Sequence, residues 1–189
     1  MIEKTIQASI ETKKKILQNP VLIQTIQNVA DEMVKTFKNG GKVLFCGNGG
    51  SAADAQHLAA EFSGRFYYDR PPLYSEALHV NTSYLTAVAN DYSYDEVYSR
   101  LVLAKGRKGD VLVSLSTSGN SKNILKAMKV AADIGMINVG LTGESGGLMK
   151  GLCNYLLNVP STDTPRIQES HIMIGHIICE IVESTLFPK

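Results

Sequence analysis

CGNGGSAADAQHLAAE, residues 46–61, joins the end of a short apolar run to a segment of helical periodicity through a turn of small residues. Strand, glycine turn, helix is the unit from which parallel sheets are built, because the helix carries the chain back over the sheet to begin the next strand. From Gly41 onward the alternation repeats. Runs at 42–46, 76–80, 111–116, 137–142 and 155–159 read as strands. Segments at 51–64, 83–89, 95–105, 121–134, a short one near 147–152, and 166–186 read as helices. The strand runs are continuously apolar rather than alternating, as expected of strands covered on both faces. The fold class is therefore α/β, a doubly wound, five-stranded parallel sheet flanked by helices. Ligands of such sheets bind at the carboxyl ends of the strands, beside the point where the strand order reverses.

A helical pair precedes this core. Residues 1–18 are helical and loosely amphipathic. Asn19-Pro20 then supplies a cap residue followed by proline at the first helical position. Leu22, Ile26, Val29, Ala30, Met33, Val34 and Phe37 follow at helical spacing, and Asn39-Gly40-Gly41 ends the segment. The pair can cover one sheet face or pack against the same pair of another subunit. Apolar positions in excess of one stripe favour the second. The expectation is a single domain over 1–189, with residues 1–38 serving oligomerisation and 41–189 forming the core.

The 189 residues are 44% hydrophobic and carry a formal net charge of +1. No long basic run advertises nucleic acid or an anionic membrane. No apolar run is long enough to span a bilayer, and the N-terminus lacks a signal-peptide core. Cys46, Cys153 and Cys179 sit in apolar settings without metal or redox spacing, as reduced core thiols of a cytoplasmic protein would.

Two strand ends open into small-residue loops that run into helices: Gly47-Asn48-Gly49-Gly50-Ser51 and Ser116-Thr117-Ser118-Gly119-Asn120-Ser121. A helix start offers unpaired N–H groups and a positive dipole end, which suits an anion. The first loop fits G-x-G-x-x-A formally, but Asp69, at the spacing for a ribose contact, lies in RFYYDRPP, which is no strand end. No G-K-S/T follows either. The second loop offers four hydroxyls and no lysine, which fits a sugar phosphate better than a metal-bound triphosphate.

Asp54, His57, Glu61 and Arg65 fall on one stripe of the helix after the first loop. The last helix is apolar almost all round and is interrupted by Gln168, Glu169, His171 and His176, which need partners if buried. At 100° per residue Gln168 and His176 lean into one cleft, whereas His171 and His176 cannot reach the same point. One of the two histidines is structural; spacing leaves open which.

Together, CGNGGSAADAQHLAAEFSGRF, Ala89-Asn90-Asp91, SLSTSGNS and RIQESHIMIGH resemble the sugar-isomerase (SIS) domain family over nearly the whole chain. The resemblance is nearest to its isomerases of phosphorylated seven-carbon sugars. It implies a flavodoxin-like sheet, a homotetramer, and conversion of sedoheptulose 7-phosphate to D-glycero-D-manno-heptose 7-phosphate on the way to nucleotide-activated heptose for surface glycans. It implies a phosphate cradle at Ser116, Thr117, Ser118 and Ser121, and substrate contacts at Asn48, Gly49, Gly50, Ser51, Arg65, Asn90, Asp91 and Gln168. Glu61 is implied as general base and substrate contact, His176 as general acid, and His57, Glu61, Gln168 and His176 as zinc ligands. Pro165 stands where the family often has an acidic residue. A noncatalytic SIS relative that binds the bacterial replication initiator resembles the chain too, but lacks the carboxylate and the imidazole at the positions of Glu61 and His176.

Overall fold

Five short strands form one parallel sheet in the computed structural model, which describes residues 1–189. They are β1 (Val43–Gly47), β2 (Ser75–Ala77), β3 (Val111–Leu115), β4 (Ile137–Thr142) and β5 (Tyr155–Asn158), in the order β2-β1-β3-β4-β5. This is the flavodoxin-like order, and it reverses between β1 and β3. Those two strands pair from Val43↔Val111 to Gly47↔Leu115, so their loops leave the sheet side by side. Every residue of both strands is buried, as continuous apolar runs require.

The helices are α1 (Ile2–Leu17), α2 (Pro20–Lys38), α3 (Gly50–Ser63), α4 (Thr82–Asp91), α5 (Val97–Lys105), α6 (Lys122–Asp133) and α7 (Thr164–Leu186). Alternate strand residues point to opposite faces. Val43, Phe45, Val111 and Val113 join a core built with α1, α2, α3 and α7, while Leu44, Cys46 and Leu112 join a second core under α4, α5 and α6. Each fully buried aliphatic side chain contributes on the order of 1.5–3 kcal/mol.

Local signals act where expected. The Asn19 side chain accepts from Leu22 N–H at 3.0 Å with Pro20 at the start of α2, and Gly40 turns the chain at φ +73° after its end. Most bounds shift by a residue or two from the sequence reading, and three differences bear on the site. The strand expected at 76–80 closes at Ala77: Leu78 N–H still reaches Phe45 O at 2.9 Å, but Val80 N–H folds back to Ala77 O. The helix expected at 95–105 is split into a 3-10 turn, Tyr94–Glu96, and α5. Helix α3 stops at Ser63, where Gly64 takes φ −94° and ψ −107°.

Candidate active site

The two small-residue loops are joined. Asn48 Nδ2 donates to Asn123 Oδ1 at 2.9 Å, and Asn123 Nδ2 donates to Asn48 Oδ1 at 2.9 Å. Asn123 is buried in the first turn of α6, so this reciprocal amide pair locks the first loop onto the helix that the second loop opens. Tyr94 Oη adds a 3.2 Å bond to Asn48 Oδ1, and Tyr98 Oη donates to the carbonyl of Gly47. In the second loop Ser116 Oγ lies 3.0 Å from Ser121 Oγ and 3.5 Å from Ser118 Oγ. Ser121 does not cap α6 with its side chain, and the N–H groups of Lys122 and Asn123 stay free for an anion, whereas at the start of α3 Ser51 and Ala52 N–H already donate to Asn48 O and Gly49 O. Thr117, Ser118 and Asn120 line a polar cleft of about 490 Å³ together with Glu144 and Thr164, the first residue of α7.

The other half of the site lies between α3 and α7. His57 Nε2 is 3.0 Å from His176 Nε2 and 3.1 Å from Glu61 Oε1. One ligand atom from each of the three side chains falls within 4.8 Å of the others, and all three are exposed or half-buried. His57 and Glu61 meet because they are one helical turn apart. His176 joins them because α7 packs close to α3 at Gly175: a Cβ there would lie 2.5 Å from both Cδ atoms of Leu58. Two imidazoles and a carboxylate suit zinc, whose tetrahedral ligand atoms sit about 3.3 Å apart for bonds of about 2.0 Å. The observed separations of 3.0 and 3.1 Å are close to that edge.

His171 is the structural histidine. It is fully buried, and its Nε2 lies 3.1 Å from the carbonyl of Thr142, which can only accept, so the ring proton is on Nε2. Burial pushes its pKa down to about 4 against the support of that one bond. Asp54, in the turn of α3 before His57, is half-buried with Oδ2 unpaired; burial raises its carboxyl above the usual range, and His57 pulls it back only partly.

The pattern that describes the SIS domain matches residues 7–143, well over half of the chain. The chain belongs to the SIS domain family. The phosphoheptose isomerase 2 of Campylobacter jejuni is 57% identical over 181 residues, covering 96% of this chain and 90% of that protein. The phosphoheptose isomerase of Aneurinibacillus thermoaerophilus is 53% identical over 186 residues, 98% of this chain and 94% of that protein. Among solved structures, the phosphoheptose isomerase of Neisseria gonorrhoeae superposes with a TM-score of 0.91 at 43% identity, covering 97% of both chains.

Within this SIS domain, the residues singled out from sequence fall into three groups. Asn48, Gly49, Gly50, Ser51, Ser116, Thr117, Ser118 and Ser121 lie in or open from the two joined loops. Glu61, His57 and His176 form the cluster between α3 and α7. Gln168 lies against the first loop, where a Cβ on Gly50 would lie 2.5 Å from its Nε2, and it stands on the helix of His176, about 12 Å of rise before it. Asn90 and Asp91 end α4, exposed and bonded to each other at 3.0 Å. The placing of Arg65 on the stripe of Asp54, His57 and Glu61 is corrected: α3 ends two residues before it, and it lies exposed beyond the helix.

Sequence reasoning missed Asn123, Tyr94 and Tyr98. Asn123 carried a usable signal, since an amide in the first turn of an otherwise apolar helix must find partners. Tyr98, fully buried in the second core, carried the same one.

Proposed function

We propose that this SIS-domain chain isomerises sedoheptulose 7-phosphate to D-glycero-D-manno-heptose 7-phosphate, supplying heptose for surface glycans in the cytoplasm. The observation that carries the proposal is the meeting of His176 from α7 with His57 and Glu61 from α3, beside hydroxyl-lined helix starts. The phosphate is held at Ser116, Thr117, Ser118 and Ser121 by hydroxyls and the free N–H groups of α6. Asn48, Gly49, Gly50, Ser51 and Gln168 line the path from that cradle to the cluster.

Glu61 takes the proton from C1 of the open-chain ketose, and the electron pair left on carbon forms the enediol. His176 gives a proton to the carbonyl oxygen at C2 and recovers one from the oxygen at C1. The proton is then returned to C2 and the aldose is complete. His57, Glu61 and His176 fit a zinc ion, with Gln168 as the further ligand in this reading. A bound zinc would supply Lewis-acid polarisation of the carbonyl. One zinc per chain is expected by elemental analysis, lost in His57→Asn while far-ultraviolet circular dichroism is retained.

Arg65, Asn90 and Asp91 belong to the substrate site only if a second subunit brings its surface to the first, and a homotetramer does so in this reading. The decisive assay is isomerisation of sedoheptulose 7-phosphate in deuterated water by the wild type, Glu61→Gln and His176→Gln. The wild type incorporates deuterium and forms product; near-normal turnover by either variant removes the acid–base assignment.

A further inference from the structure

Behind Glu61 and His176 lies a buried ion pair, Arg70 with Glu183. Helix α3 ends just after Glu61, leaving its last carbonyls without helical partners. Arg70, eight-percent exposed, fills that gap from the following loop. Its Nη2 donates to Glu61 O at 2.8 Å, and its Nη1 donates to Phe62 O at 2.7 Å, Gly64 O at 3.0 Å and Pro71 O at 3.1 Å. The same guanidinium donates through Nε to Glu183 Oε1 at 3.0 Å.

Glu183 stands on α7 seven residues after His176, two turns on and therefore on the same face. Its carboxylate also accepts from Phe66 N–H at 2.9 Å and Tyr67 N–H at 2.7 Å. Phe66 in turn sets its ring 5.6 Å from the ring of His176. Both side chains of the pair are 2% exposed. Burial alone would raise the Glu183 carboxyl, but the two N–H groups and the guanidinium outweigh it and hold it below the usual range. The pair thus ties the backbone of Glu61 to the helix of His176 through charge-assisted bonds out of solvent.

We infer that Arg70 and Glu183 are positioning residues for the isomerisation: their buried pair fixes the end of α3 against α7 and so sets the distance between the Glu61–His57 edge and His176. The inference rests on the isomerase reading for its kinetic arm and on geometry alone for its structural arm. Neither residue touches the substrate.

Arg70→Lys keeps the charge but can reach only part of the carbonyl set. Glu183→Gln keeps the shape but gives up the charge. Each is compared with the wild type for kcat and KM with sedoheptulose 7-phosphate, for binding of inorganic phosphate by calorimetry, and by a crystal structure. The expected result is a kcat lower by about 10²-fold, the scale of a 1 Å misplacement, with KM and phosphate affinity within about threefold and the His57–His176 separation opened. A kcat near wild type, a loss that falls on KM instead, or an unchanged His57–His176 separation overturns it. Should a variant fold poorly, its kcat is taken per folded molecule from active-site phosphate binding, and a loss that vanishes on that basis also overturns it. Absence of turnover by the wild type sinks the isomerase reading, and the crystal structures still decide the positioning one.

Discussion

Glu61 and His176 divide the proton transfers between two distant segments of chain, so each is expected to be irreplaceable for a different reason. Glu61→Gln keeps the shape and removes the base, and kcat is expected to fall by about 10²–10⁴-fold with little change in phosphate affinity. His171, five residues before His176, makes a contrasting prediction about pH. Its folded pKa of about 4 lies below the ordinary value near 6.5. Between those values the unfolded chain binds a proton that the folded chain refuses, so stability rises with pH across the window and is lost as pH falls from about 6.5 towards 4. The loss amounts to about 3 kcal/mol at the low end. Urea unfolding at pH 7 and pH 4.5 measures it, and His171→Asn should flatten the difference.

Among the elements, α3 and α7 matter most, and Gly175 sets how near they come. Alanine is the better helix former by about 1 kcal/mol, yet its Cβ would meet the buried side chain of Leu58. Gly175→Ala is therefore expected to cost up to about 2 kcal/mol net, and to lower kcat because Leu58 is the neighbour of His57. Thermal unfolding beside a kinetic assay checks both. The strands, the loops and the start of α2 were legible in the sequence because each is written within a few neighbouring residues. The carboxylate and imidazole of the site were legible as outliers on apolar helices. What was not legible comes from pairs far apart in the chain. Glu183 meets Arg70 across 113 positions, and Asn48 meets Asn123 across 75. The end of α3 was read to within a residue, because Gly64 caps it; Arg65 was set on the stripe of Glu61 although the helix stops before it.

At the scale of the molecule, α1, α2 and α7 leave an apolar groove of about 370 Å³, whose walls include Ile16, Leu17, Ile23, Met173, Ile177 and Ile181. Leu17 is 74% exposed and Ile177 37%. Burial of such side chains between subunits is the purpose proposed for residues 1–38. If residues 1–38 build the proposed tetramer, the double variant Leu17→Asp/Ile177→Asp is expected to sediment as a smaller species than the wild type and to turn over more slowly; an unchanged mass would remove the proposed tetramer from this groove. No helix is long and apolar enough to cross a membrane.

The mirrored amides of Asn48 and Asn123 have an evolutionary consequence. Each one's amide nitrogen is spent on the other's oxygen, while Asn48 Oδ1 also accepts from Tyr94 Oη and Asn123 Oδ1 from Ile124 N–H, so a lone replacement strands the surviving amide nitrogen while a joint replacement leaves no amide behind. Descendants of this sequence should either inherit both or lose both, and a lineage found with one alone would have had to invent a new hinge between its two loops.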